Sequence, residues 1–313
     1  MNERIVVALG GNAIKRPEDE GTIGEQLDAV SRTCDELVKM IRKGHGIVIT
    51  HGNGPQVGAL LIQNEEARGK VPQMPLDVCG AKSQALIGYM IQQTLHNKLS
   101  EIGIYKDIVT VITQVKVDPN DPAFENPTKP VGPFYTERQA ETLRREKAYV
   151  IRKVDKDRYR RVVPSPNPKG IVEIGTVKRL VNAGVIVIAS GGGGVPVVES
   201  PNGALHGVEA VIDKDLAAEI LAHELGAEIM LFLTNVQGVA VNYGKTDERF
   251  LEKMTPEEAK KHLIQGEFPS GSMGPKIEAA VRFLESGGER AVISSLEDAF
   301  EALNGRVGTT IAW

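Results

Sequence analysis

Ile5-Val6-Val7-Ala8-Leu9-Gly10-Gly11-Asn12 is an unbroken apolar run that stops at two glycines and an asparagine. Strict alternation would mark a strand with one wet face. A continuous β-branched run instead marks a strand buried on both faces, as in a parallel sheet covered by helices. Shorter runs of the same kind occupy residues 47–50, 108–112, 185–189, 229–233 and 291–294. Helical signals lie between them. Thr22-Ile23-Gly24-Glu25 has the form of a capping box. Leu27, Val30, Cys34, Leu37, Val38 and Ile41 then recur at helical spacing until Gly44 ends the run. Near the other end, Pro275 suits a first helical turn, with Ile277, Ala280, Val281 and Leu284 on one apolar face. Strands alternating with helices predict a three-layer α/β sandwich with an open, mainly parallel central sheet.

The chain has 313 residues, enough for one large α/β domain or two modest ones, and a natural division falls near Gly184. One stretch breaks the alternation. Residues 118–168 hold eight of the 17 prolines and a dense mixed-charge run over 138–161. Such an excursion inside a compact domain reads either as a lid or as a solvated surface subdomain without a chemical role.

Composition narrows the partners. Hydrophobic residues make up 41% and charged residues 25%, ordinary values for a chain with a sizeable core. The formal net charge of -4 and pI near 6.0 give no electrostatic footprint for nucleic acid. Cys34 and Cys79 have no C-x-x-C spacing and read as buried thiols in a reducing compartment. The first apolar run is too short for a signal peptide, and no run approaches a membrane span, so a soluble cytoplasmic protein is expected.

The chemistry concentrates where strands end. Leu9-Gly10-Gly11-Asn12, Thr50-His51-Gly52-Asn53-Gly54-Pro55 and Ser190-Gly191-Gly192-Gly193-Gly194 are glycine-rich loops following predicted strands. In an open α/β sheet, ligands bind beyond the carboxyl ends of the strands. Glycine lets backbone N–H groups approach a phosphate, and a following helix N-terminus favours its charge. One such loop is weak evidence, since glycine also serves tight turns; three together point to phosphate. Yet Pro196 stands where a G-x-G-x-x-G fingerprint needs its last glycine, and no G-x-x-x-x-G-K-[ST] occurs. Dinucleotide oxidoreductases and P-loop NTPases are therefore disfavoured.

Lysines complete the pattern. Val211-Ile212-Asp213-Lys214-Asp215-Leu216 sets one between two aspartates, Gly271-Ser272-Met273-Gly274-Pro275-Lys276 sets one at a predicted helix start, and Pro127-Thr128-Lys129-Pro130 sets one in the excursion. Phosphoryl transfer asks a protein mainly to align reactants and neutralise charge on the phosphoryl oxygens, and carboxylate-held ammonium groups do that. Taken alone, the Asp213-Lys214-Asp215 triplet reads more readily as a surface charge cluster, the commoner fate of such triplets. His51 reads as a structural residue bonded to its own loop, and the other five histidines as surface or packing residues.

Ala8-Leu9-Gly10-Gly11-Asn12-Ala13, His51-Gly52-Asn53-Gly54-Pro55-Gln56-Val57-Gly58, Asn126-Pro127-Thr128-Lys129-Pro130-Val131-Gly132-Pro133, Arg161-Val162-Val163-Pro164-Ser165-Pro166, Ser190 to Val195, Val211 to Leu216 and Gly271 to Lys276 occur in one order along the chain. Together they resemble the carbamate kinases of the amino acid kinase superfamily over nearly the whole length. The resemblance implies an amino acid kinase-like αβα sandwich with a small protruding subdomain at 118–168. It implies an acceptor-binding half at 1–183, a nucleotide-binding half at 184–313, and a homodimer. It implies that Lys129, Lys214, Asp215 and Lys276 are catalytic, with Lys129 reaching over the site from the lid and Asp215 orienting the other two lysines. Gly10, Gly11, Asn12, Gly52, Asn53, Gly191, Gly192 and Gly193 would hold substrate and phosphate. Thr234, Asn235, Tyr243, Met273 and Lys276 would border the nucleotide. Many superfamily members carry an acidic residue at Asn235, and this chain departs from them there.

The reaction implied is ATP + carbamate ⇌ ADP + carbamoyl phosphate, with Mg2+ arriving on the nucleotide and no protein-held metal. Carbamate is already an oxyanion, so no general base is needed. The partners expected are ATP/ADP and carbamate/carbamoyl phosphate, with neither nucleic acid nor membrane. A superfamily kinase for another carboxylate, or a non-catalytic nucleotide-binding module of the same fold, are the alternatives.

Overall fold

The six apolar runs all become strands of one eight-stranded sheet. In the computed structural model, which describes residues 3–16, 18–268 and 271–313, the sheet order is Lys253–Met254, Thr309–Ala312, Arg290–Ser295, Ile229–Thr234, Arg4–Leu9, Gly46–His51, Ile186–Ile188 and Ile108–Thr110. The pairings from Arg290–Ser295 across to Ile108–Thr110 are all parallel. Thr309–Ala312 runs antiparallel to Arg290–Ser295, and Lys253–Met254 follows it. The 108–112 run is strand only to Thr110.

Continuous apolarity has the cause inferred for it. Val6, Ala8, Met230 and Phe232 pack on one side of the sheet with the Lys214–Leu225, Met273–Glu285 and Ile174–Asn182 helices. Ile5, Val7, Leu9 and Leu231 pack on the other with the Ile23–Arg42 and Leu76–Glu101 helices. Successive strand residues point to opposite faces, so two helical layers require every position to be apolar. Thr22 and Glu25 form the capping box at the first of these helices. Gly44, at φ 91°, takes the left-handed turn that follows it. Both cysteines are buried and free.

A second sheet of four strands, Leu205–Gly207, Val195–Glu199, Gln114–Val117 and Pro168–Ile171, has no counterpart in the periodicity of the sequence. It anchors the excursion. Val117 and Pro168 face each other across an antiparallel pair, so the chain departs and returns at one point. Beyond them, Lys129–Tyr135, Arg158–Val163 and Ile151–Asp155 form a three-stranded antiparallel sheet beside the Glu137–Lys147 helix. Val131 and Val163 pack on Val57, Leu76 and Cys79 of the body, which fastens this unit over the Gly54–Glu66 helix. Among the described residues, no helix is long and apolar enough to cross a membrane.

Candidate active site

Register brings the first loops together. Leu9 pairs with His51 on one side and Leu233 on the other, so three parallel strands end side by side. The next residues continue the ladder: Gly10 N–H donates to Leu233 O (2.8 Å) and Gly52 N–H to Leu9 O (2.9 Å). The approach is close. A Cβ on Gly10 would stand 2.9 Å from Leu233 O, and one on Gly52 3.2 Å from Gly11 N. Gly11 and Gly52 open onto a cavity of about 740 Å³ that Asn53, Lys129, Gly192, Lys214, Asp215 and Lys276 also line.

The remaining loop residues support this cavity without lining it. Gly10 is held in the ladder. Asn12 lines a separate cavity of about 200 Å³ with Thr33 and Glu36 instead. Gly191 lies against the His51 ring, and Gly193, at φ 91°, lies against Ile212 O. Only Gly192 of the third loop reaches the main cavity. Its missing side chain leaves room for the Asn53 amide, which donates to Ser83 Oγ at 2.7 Å.

The lysines form one ionic assembly. Asp213 caps the Lys214–Leu225 helix, accepting from Asp215 N–H at 2.9 Å. Asp215 is 3% exposed and binds both Lys214 Nζ (2.5 Å) and Lys276 Nζ (3.1 Å) through its two oxygens. Lys129, from the protruding unit, meets Asp213 at 2.9 Å. Burial pushes the Asp215 carboxyl up, but the two ammonium charges and their hydrogen bonds outweigh it and hold it below its ordinary range. Burial, reinforced by the Lys214 charge, draws Lys276 down; Asp215 opposes this. The surface-cluster reading of the triplet therefore fails, because its second aspartate is a buried double acceptor.

Backbone dipoles add to these charges. Gly54 and Pro55, Lys214 and Asp215, and Pro275 and Lys276 belong to the first turns of three helices, and all six line the cavity. Three helix N-termini and three ammonium groups converge where anions would meet.

A second cavity of about 230 Å³ adjoins the first. Thr234, Asn235, Tyr243, Met273 and Lys276 line it together with Phe268 and Ser272. Lys276 and Ser272 border both cavities, so the lysine stands at the junction. Three residues escaped the sequence reading as site residues. Asp213 was read only as a neighbour of Lys214, though it holds Lys129. Lys15 and Arg160 line the main cavity, but Lys15 sits in no glycine loop or charge motif, and Arg160 is one of many charges in the 138–161 run.

His51 is 1% exposed and contacts Gly52 O through Nδ1 at 3.0 Å, so the donating tautomer carries its proton there. Burial lowers its pKa from 6.5 to about 4; the Gly52 bond opposes this and the Lys214 charge adds to it. The unfolded chain thus binds the extra proton first. Stability contributed by neutral His51 is complete above pH 6.5 and is lost as pH falls towards 4, by up to about 3 kcal/mol. Urea unfolding midpoints measured across this window should fall with acid in the wild type, and the slope should flatten in His51→Gln. Parallel slopes in the two proteins would remove His51 as the cause.

The amino acid kinase family model matches residues 3–295. Carbamate kinase of Pyrococcus horikoshii is 52% identical over 313 residues, covering 99% of each chain. That of Thermococcus kodakarensis is 54% identical over 312 residues, again covering 99% of each. Among solved structures, carbamate kinase from Giardia lamblia bound to AMP-PNP superposes with a TM-score of 0.95 at 44% identity, covering 99% of this chain and 98% of the other. Identity at this level along whole chains, on one fold with one order of site motifs, means that the chain belongs to the amino acid kinase family and, within it, to the carbamate kinases.

Proposed function

We propose that this protein catalyses ATP + carbamate ⇌ ADP + carbamoyl phosphate. The observation that carries the reading is Asp215 bonded to both Lys214 and Lys276, with Lys276 at the junction of the two cavities. The smaller cavity takes the nucleotide, bordered by Thr234, Asn235, Tyr243 and Met273. The larger takes the acceptor, against Gly11, Gly52, Asn53 and Gly192. A carbamate oxygen attacks the γ-phosphorus, and the β–γ bridging oxygen leaves with ADP. Lys214 and Lys276 stabilise charge on the phosphoryl oxygens during transfer, which is where fixed donors lower the barrier most. Lys129 brings a third charge from the lid. Alignment of two anions, with their repulsion neutralised, is the main catalytic task.

A divalent cation, magnesium, accompanies the nucleotide and screens its phosphates. Asp213 and Asp215 are both engaged by lysines, so the cation is carried chiefly on phosphate oxygens and water. Purified protein given ADP, magnesium and carbamoyl phosphate should form ATP. Absence of ATP would leave the family intact but exclude this acceptor.

The assembly proposed is a homodimer. Among the described residues, Ile108–Thr110 is an unpaired sheet edge, and exposed Tyr89 and Ile112 line a groove of about 460 Å³ along it. An apolar patch next to an open edge fits a second copy better than water. Sedimentation should report two 33.8 kDa chains, and Tyr89→Asp should shift the species to one. A monomeric wild type rules the dimer out.

A further inference from the structure

Arg160 is the one lid residue besides Lys129 that brings a positive charge to the acceptor cavity. It lies in the Arg158–Val163 strand, directly opposite Phe134 of Lys129–Tyr135. The register slips between Val131 and Phe134, and Gly132 there takes φ 70°. This bulge turns the Gly132 carbonyl to Arg160 Nη2, which donates to it at 2.9 Å. The guanidinium carbon stands 5.2 Å from the centre of the Phe134 ring. Together the stacking and the carbonyl set the plane and direction of the group.

What it lacks is an anion. Lys129, Lys214 and Lys276 each face a carboxylate. Arg158 and Arg161, its neighbours in the strand, do too. Among the described residues, Arg160 has no carboxylate within ion-pair distance, and its Nε is buried without a hydrogen-bond partner. Burial also draws its pKa down, with Tyr135 opposing. The Nε is sealed from the cavity and is not the donor; a guanidinium that lines a polyanion cavity with no carboxylate of its own among the described residues calls for an oxyanion from outside the chain. Arg160 does not line the smaller cavity with Thr234 and Asn235. It lies instead with Val57, Gly58 and Ile62, on the acceptor side.

We infer that Arg160 is an acceptor-recognition residue, donating from the lid to an oxyanion of carbamate or carbamoyl phosphate and thereby tying substrate binding to lid seating. The inference rests on the carbamate kinase reading above for the identity of that oxyanion. Arg160→Ala should raise the KM for carbamoyl phosphate roughly tenfold to a hundredfold, the loss of a charge-assisted bond, and leave the KM for ADP unchanged. Arg160→Lys keeps the charge but loses the planar fork, and should recover only part of that loss. A purely structural arginine would loosen the lid and move both KM values, or neither; each result overturns the inference. Titration with inorganic sulfate, followed by calorimetry on wild type and Arg160→Ala, separates the two claims. If the wild type makes no ATP, the acceptor is wrong. Weaker sulfate binding in the variant still upholds Arg160 as an oxyanion donor, and equal affinity, or no sulfate binding by the wild type, ends it.

Discussion

Replacing Lys214 by alanine should lower the rate of ATP formation from ADP and carbamoyl phosphate by about 10² to 10³, the usual cost of removing one preorganised donor from a developing charge. The KM for ADP should change little, because the cavity proposed for the nucleotide is lined by other residues. An interaction felt mainly in the transition state appears in kcat; one felt equally in the ground state appears in KM. Lys214 is suited to the first kind. Its ammonium is held by Asp215, and its stem passes close to the Gly52-Asn53 loop, with Cδ 3.4 Å from where a Cβ on Gly52 would lie. It therefore cannot follow a substrate that shifts, which suits the transition-state role proposed for it. Unaltered turnover in Lys214→Ala removes it from the mechanism. A rise in KM for ADP matching the fall in kcat makes it a binding residue instead.

Asp215→Asn should damage both activity and stability. The carboxylate is the shared counter-charge of two ammonium groups, and the Lys276 side chain is 9% exposed. Removing one partner of a buried ion pair typically costs about 3 to 5 kcal/mol, since the other charge stays desolvated. The loss should be largest near neutral pH. Lys276 is already drawn below its ordinary pKa by burial and by Lys214, and without Asp215 it is drawn further. Above that lowered pKa the folded variant holds Lys276 neutral, while the unfolded chain still binds the proton. Stability of the variant should therefore recover as pH rises through the folded value. Turnover should fall by at least about 10²-fold, because neither lysine remains oriented. A denaturation midpoint equal to wild type at pH 7, with normal turnover, would show that Asp215 holds nothing essential.

These expectations draw on different levels of the molecule. Helices, strands and the layer order were legible because burial on two faces imposes a pattern on consecutive residues. Ile5 to Leu9 announces its environment without reference to any other segment, and so does the Thr22–Glu25 cap. The glycine loops were legible too, because close backbone approach excludes a side chain: at Gly52 from Gly11, and at Gly192 from Asn53. What they approach was not legible. Gly10, Asn12, Gly191 and Gly193 stand in the same motifs as Gly11, Gly52 and Gly192, yet their atoms are turned to Leu233, a separate cavity, His51 and Ile212. Motif membership sets backbone shape; the register of neighbouring strands sets which amides face the ligand.

Charge pairing depends still more on the assembled chain. Residue type made Asp213-Lys214-Asp215 ambiguous between a surface cluster and a site. Asp215 meets Lys276 across 61 positions, and Lys129 meets Asp213 across 84. No local periodicity encodes such contacts, because they form only when the Lys214–Leu225 and Met273–Glu285 helices pack together and the protruding unit packs on the body. Arg160 shows the same limit: one arginine in a basic run is distinguished from its neighbours only by the partners folding denies it. Burial on two faces and close backbone approach leave their mark on consecutive residues, and the fold and its glycine loops were readable there. The electrostatics of the site arise between residues far apart in the chain, and folding alone brings those charges within reach of one another.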